Sequence, residues 1–458
     1  MVLLGLVVLA VLAAVSWLGD DGPPHPDEWD PRVVELAAFV EEERGLEFDH
    51  PVYVDFLSPE DYTDEATTDE DDLSEKDRVE LDRYAGQLRA LGVASGELDL
   101  FTALNQVSDG GTLAFYDPID ERVRVRGTEL GVGLEVTLVH ELTHALQDQH
   151  FDVERLYDDD LDSSASAALR SLIEGDALRI EDGYVESALD EEQQGTYADE
   201  FADQLDASEE ATGDVPPFVS ATFSVPYALG PPLTTMLANE GGNDAVDAAF
   251  EDPPHTEEHL FDPASYLAGE DGEELDLDLP DDLDVFDDGP FGSPTWYLML
   301  VERIDPKVAF DAALGWNGDA YALFERDGRA CTRAAFAGDS AADERTMAGA
   351  LRDWVAAMPG GQAEFMEIDG RPGFESCDPG TDIDLELTDR TANALFVPSL
   401  WGYLVADAAG ITGPEAARCY AAAVVDGLTF EEMTDPDGAA FEGVTFEQLI
   451  TSAYESCI

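Results

Sequence analysis

Lysine is almost absent from this chain. It occurs only at Lys76 and Lys307, and lysine and arginine together number 22 against 103 aspartates and glutamates in 458 residues. A formal net charge of −81 excludes nucleic acid and anionic membrane as partners, because a surface of that sign repels phosphate. Cysteine is nearly as scarce, with Cys331, Cys377, Cys419 and Cys457 all in the C-terminal third. No two of them stand in a Cys-x-x-Cys spacing, which excludes a cysteine zinc site. No Lys or Arg precedes the one long apolar run, residues 2 to 18, and no cysteine follows it to accept a lipid.

Apolar residues are not lacking. At 44% the hydrophobic fraction is that of a globular protein, so the charge does not signal disorder. An acidic, lysine-poor surface over an ordinary core suits near-saturated salt, where screening shortens the Debye length to about 3 Å or less. The composition is therefore halophilic, of haloarchaeal type. Residues 1 to 20 are expected to be a membrane anchor or a signal peptide, with Ala14-Val15-Ser16 as a cleavage site. Either places the rest outside the cell, on the extracellular face of the membrane or secreted. Contact with the membrane is then through this N-terminal segment only. Four cysteines in an exported chain imply two disulfides, and of three connectivities the expectation pairs neighbours, Cys331 with Cys377 and Cys419 with Cys457.

Periodicity predicts helices over 31–45 and 78–92, a strand at 51–56 and an acidic loop over 59–77. A β-hairpin is expected over 112–126, turning at Asp117-Pro118-Ile119-Asp120, with the arginines of its second strand facing water. Helices follow at 131–150, 163–184 and 228–240, after an acidic stretch over 187–215. Residues 268–290, dense in Asp, Glu, Gly and Pro, read as a linker. They divide a catalytic region, 21–267, from a mixed C-terminal region, 291–458. That region has expected helices at 294–313, 342–357 and 391–408 and strands at 363–368 and 382–387.

The chemistry concentrates in Val139-His140-Glu141-Leu142-Thr143-His144. On a helix, residues four apart are separated by about 40° and 6 Å, so His140 and His144 face one point. Two neutral imidazoles so placed suit a tetrahedral zinc, and Glu141, about 100° round, stands beside the metal as a base for water. The rest of the helix is apolar, and burial of these polar groups needs the compensation a metal provides. A third ligand has two candidates. His150 stands where the longer motif HExxHxxGxxH has its third histidine, but the turn-forming glycine is here Gln147. Glu174 lies on the next helix, in Leu172-Ile173-Glu174-Gly175-Asp176-Ala177.

At these residues the sequence resembles the gluzincin peptidases. His140 to Ala145 is similar to the thermolysin-type helix, and Glu174-Gly175-x-Ala177 to the Glu-Gly-x-Ala ligand helix of peptidase-MA-type proteins, although the gap between the two is longer here. The string His140 to Phe151 resembles a group of uncharacterised exported bacterial and archaeal proteins. Pro226-Tyr227-x-x-Gly230, Pro253-Pro254-x-Thr256-Glu257 and Gly315-Trp316-x-Gly318-Asp319 extend that looser likeness. The resemblance implies His140, His144 and Glu174 as zinc ligands and Glu141 as base, and makes the hairpin 112–126 a candidate for binding extended substrate beside a plainly structural role. The aminopeptidase signature Gly-x-Met-Glu-Asn is absent, which favours an endopeptidase.

Tyr227 is a candidate oxyanion donor but reads more simply as a packed core tyrosine. His255 and His259 have the spacing of a metal pair but read more simply as a solvated helix face, and the aspartate runs 158–162 and 275–288 as solvated surface. The expectation is an α+β protein. It has a zincin-like catalytic domain with an active-site helix and preceding β-hairpin, and a mixed C-terminal domain. The expected function is a Zn2+-dependent metallopeptidase acting on peptide or protein. Its rivals are a zinc hydrolase of a non-peptide bond, and a cell-surface binding or assembly protein with a structural or vestigial metal.

Overall fold

A computed structural model of the protein describes residues 23–110, 112–153, 155, 161–277, 279, 283–435 and 444–458. The apolar run 2–18 and most of the aspartate run 158–162 lie outside the described residues. The architecture is α+β with two sheets, a three-stranded and a five-stranded one.

The N-terminal half opens with α1 (Val34–Arg44) and β1 (Tyr53–Leu57). Residues 59–77, expected as loop, instead hold α2 (Pro59–Ala66) and the start of α3 (Glu75–Ala90). Capping explains the difference. Ser58 and Ser74 accept from the amides of Asp61 and Asp77, Pro59 sits at the first helical position, and the acidic residues lie in first turns, where the helix dipole favours them. After α4 (Leu100–Gly110) come β2 (Ala114–Asp117) and β3 (Arg122–Arg126), the expected hairpin. β1 joins it in parallel register on β3, in the order β1-β3-β2. Val123 and Val125 are buried, but the arginines of β3 do not simply face water. Arg122 pairs with Asp55, Arg124 with Asp120 and Glu65, and Arg126 with Asp109.

The long helices are α5 (Val132–Phe151), α6 (Ser163–Ser187), α7 (Glu191–Thr212) and α8 (Pro217–Gly241). Asp162 caps α6 by accepting from Ala165, and Glu200 of α7 accepts from the Gly133 amide at the N-terminus of α5. α8 begins eleven residues earlier than the 228 expected and runs through Pro226, Pro231 and Pro232. Packing against α6 overrides the propensity cost of those prolines. At the crossing, the backbones of Gly175 and Gly230 touch, and a Cβ on Gly175 would lie 2.4 Å from the Gly230 carbonyl carbon. That contact requires glycine on both helices.

Short helices α9 (Asn243–Glu251), α10 (Glu258–Phe261) and α11 (Pro263–Ala268) lead to β4 (Asp284–Gly289). β4, cut from the linker-like stretch, pairs with β5 (Trp316–Arg326). The segment expected as one helix over 294–313 is two, α12 (Ser293–Val301) and α13 (Pro306–Leu314), because Asp305 and Pro306 form a new helix start. β6 (Arg329–Gly338), α14 (Ala341–Ala357), β7 (Ala363–Ile368) and β8 (Arg371–Cys377) follow, in an antiparallel sheet ordered β4-β5-β6-β8-β7. No strand forms over 382–387; the partner of β7 is β8. The chain closes with α15 (Phe396–Thr412), α16 (Pro414–Gly427), α17 (Phe430–Met433) and α18 (Val444–Cys457). Cys331 is bonded to Cys377 across β6 and β8, and Cys419 to Cys457 between α16 and α18, so neighbours pair as expected. Among the described residues, 391–412 alone is long and apolar enough to cross a membrane, yet it packs against α8 and α16 with most of its length buried.

Two apolar clusters organise the whole. One unites α3, α8, the first half of α6 and the C-terminal sheet and helices, crossing the 268–290 segment without a break. The other gathers α1, the small sheet and α5 around the second half of α6. Leu172 and Ile173 belong to the first and Ile180 and Tyr184 to the second, which leaves Glu174 at their junction.

Candidate metal centre

α5 is buried on nearly every side, through Val136, Leu138, Val139, Leu142, Ala145 and Leu146. Its polar residues therefore have partners inside the fold. His140 and His144 meet Nε2 to Nε2 at 3.0 Å, and Oε2 of Glu174 on α6 lies 3.2 Å from the first and 3.3 Å from the second. A tetrahedral ion bound at about 2.05 Å has ligand–ligand edges of about 3.3 Å, so these three atoms already stand as three corners of such a shell. The other ring nitrogens are engaged. Nδ1 of His140 contacts Oε2 of Glu181 at 3.0 Å, and Tyr197 donates to the other Glu181 oxygen. Nδ1 of His144 contacts Oε1 of Gln147 at 3.0 Å. With both Nδ1 atoms donating, three lone-pair atoms converge, an arrangement that a cation satisfies. Among the described residues this buried trio forms the group of histidine, cysteine and carboxylate side chains able to hold a metal ion.

The local electrostatics agree. Burial pushes the His140 imidazole down, and Glu174, Glu181 and Glu141 push it further the other way, holding it well above its usual range. Burial likewise pushes Glu174 up, but the two imidazoles pull it well below the usual carboxylate range. Both directions show a pocket that stabilises positive charge.

Glu141 is buried beside the trio, and burial with the nearby Glu174 pushes its carboxyl up. Its Oε2 accepts from the amide of Tyr116 at 2.8 Å. Leu113 accepts from Arg126 across the hairpin, so alternation turns the Ala114 and Tyr116 backbone groups away from β3, toward α5. Tyr116 also donates its hydroxyl to Asp148 at 2.7 Å, clamping the free edge of β2 to the helix.

The Gly175–Gly230 crossing has a second effect. Tyr227, three residues before Gly230, lies beside Glu174, one residue before Gly175, close enough for the carboxylate to act on its hydroxyl. Burial and the charges of Glu174 and Glu141 push the phenol well above its ordinary value, so it is a donor. Arg170, one turn before Glu174, lies with Nε 3.8 Å from Oε1 of Glu174 and its guanidinium 5.4 Å from the Phe223 ring centre, beside Tyr227.

Other candidates stand elsewhere. His150 is exposed on α5, with Nε2 2.9 Å from the Glu47 carbonyl, and takes no part in the trio. His255 is exposed beside Asp271, whereas His259, expected on a solvated face, is buried. Burial pushes His259 down to about 4, and its Nδ1 lies 2.7 Å from the Ser265 hydroxyl. The remaining motifs are structural. Asp319 accepts from the Phe291 and Gly292 amides and from the Trp316 ring N–H, and Glu257 is buried against Gly292. Sequence reasoning missed Glu181, Gln147 and Arg170 as neighbours of the site. Glu181 had a signal, since seven residues from Glu174 is two helical turns and the same face. Comparison with known protein families, curated proteins and solved structures finds no match to this chain.

Proposed function

We propose that the protein is a zinc-dependent hydrolase, a metallopeptidase of gluzincin type working outside the cell, with an endopeptidase cleft along the edge of β2. The observation that carries this proposal is the convergence of His140, His144 and Glu174 with Glu141 one residue from a ligand and buried beside them. A purely structural metal site has no use for that second carboxylate. Two imidazole nitrogens and one carboxylate oxygen, with edges of 3.0, 3.2 and 3.3 Å between them, suit zinc in both distance and ligand type.

A bound zinc supplies a Lewis acid for the substrate carbonyl and lowers the pKa of water. Glu141 takes the proton from the attacking water on its carboxylate and passes it to the leaving amine. Its Oε2 stays anchored on the Tyr116 amide, which orients the carboxylate during both transfers. Tyr227 donates its phenolic proton in a hydrogen bond to the developing oxyanion. The edge of β2 turned away from β3 is the candidate for an extended peptide to pair with as an added strand. Export is supported by the two disulfides, which persist in oxidising compartments.

Elemental analysis of protein purified in high salt is the test. One zinc per wild-type chain, lost in Glu174→Ala with the fold retained, is expected, together with peptide hydrolysis that disappears in Glu141→Gln. Absence of zinc after reconstitution, or full activity in Glu141→Gln, overturns the proposal.

A further inference from the structure

Gln147 is fully buried one turn beyond His144, where neither a ligand nor a glycine stands. While Oε1 faces Nδ1 of His144, its Nε2 donates to the Ile173 carbonyl and to Oδ2 of Asp176, each at 3.1 Å. Carbonyl and carboxylate oxygens only accept, so the amide has one satisfiable orientation. Rotated by half a turn, Oε1 would face two acceptors. With Oε1 toward His144, only an Nδ1–H satisfies the contact, and Nε2 is left with its lone pair toward Glu174.

Asp176, which holds the amide, is itself gripped. Arg44 donates from Nε to its Oδ2 at 2.9 Å and Arg179 to its Oδ1 at 2.8 Å, and the side chains of Arg44 and Asp176 are both 0% exposed. Burial pushes the Asp176 carboxyl up, but the arginines and the Gln147 amide pull it below its ordinary value. Arg44 in turn lies 2.6 Å from Asp247 and beside the stacked rings of Phe151 and Phe250. His140 has a different backing, the carboxylate of Glu181.

We propose that Gln147 is the positioning residue of His144, and that the buried Arg44–Asp176 pair acts on the metal site through it by holding its amide in one orientation. Helix α1 is thereby tied to metal affinity although it carries no ligand. The inference rests on the zinc site proposed above. Side chains that orient ligating histidines carry about ten- to hundredfold in metal affinity.

The test is zinc affinity of the full chain in high salt, by competition with a chromophoric chelator. Gln147→Leu keeps the volume but removes acceptor and donors. Its zinc dissociation constant is expected to rise about ten- to hundredfold with the far-ultraviolet circular dichroism unchanged. Glu181→Gln, which keeps an acceptor on His140, is expected to lose less. A folded Gln147→Leu chain that binds zinc like the wild type overturns this inference alone, whereas a wild type that binds no zinc overturns the zinc site with it. Should Gln147→Leu not fold, the wild type decides the matter through the 15N shifts of its histidine rings. A zinc-bound Nε2 and a protonated, exchange-protected Nδ1 are expected for His144. Zinc on Nδ1, or an Nδ1–H in fast exchange, overturns the inference.

Discussion

Gly230 packs so closely on α6 that a Cβ there would lie 2.1 Å from the carbonyl oxygen of Ser171. The obstruction is backbone, which cannot swing aside, so the two helices must separate or bend to admit a methyl group. Overpacking of this kind costs about 3 kcal/mol or more. Gly230→Ala is expected to lower stability by that amount in denaturant titrations at high salt, and to weaken zinc binding because Tyr227 and Glu174 move apart. A change below about 0.5 kcal/mol would show that the crossing admits a methyl group without strain.

Tyr227→Phe removes one hydroxyl at the same crossing and leaves the ring packing intact. If the phenol stabilises the oxyanion, kcat for a peptide substrate falls about a hundredfold or more while KM and zinc content hold. Loss of zinc with unchanged kcat per bound metal would assign the hydroxyl to holding Glu174 instead.

Glu257 sets a pH dependence away from the metal. Burial, with repulsion from Asp319, pushes its carboxyl up to about 8 from an unfolded value of 4.5. The folded protein therefore holds a proton that the unfolded chain releases between those values, and stability contributed by this group is lost as pH rises from about 4.5 to 8. Glu257→Gln is expected to flatten that slope. Denaturant midpoints at pH 5.5 and 8 in the same salt measure it, and an equal slope in both proteins would exclude Glu257 as its source.

Salt is the fourth lever. With 103 acidic and 22 basic residues, self-repulsion grows as the Debye length rises from about 3 Å at 1 M to about 10 Å at 0.1 M. Thermal unfolding is expected to shift down strongly on dialysis from molar salt to about 0.1 M. A melting temperature independent of salt would remove the halophilic interpretation of the composition.

Some of this molecule was legible in its residues because it depends on neighbours along the chain. The 3.6-residue period set His140 and His144 on one face of α5, and the capping residues ahead of α6 marked its start. The alternation of β3 put Val123 and Val125 inward. Where local signals were overlooked or overridden, the elements were missed. The serine caps of α2 and α3 were hidden by the acidity of residues 59–77, and α8 runs through three prolines because tertiary packing outweighs their local cost.

By itself, then, the sequence determined the pair of imidazoles, the carboxylate beside them and the acidity of the surface, since spacing on one helix and composition need no folding partner. Only the tertiary structure decided that Glu174 rather than His150 meets them, because the choice turns on where α6 crosses α5. It also placed Tyr227 beside Glu174, through Gly175 and Gly230, two glycines 55 residues apart. The amide of Gln147 was oriented in the same way, by an arginine 103 positions before it. Contacts at such separations depend on how helices pack, and no local period encodes that.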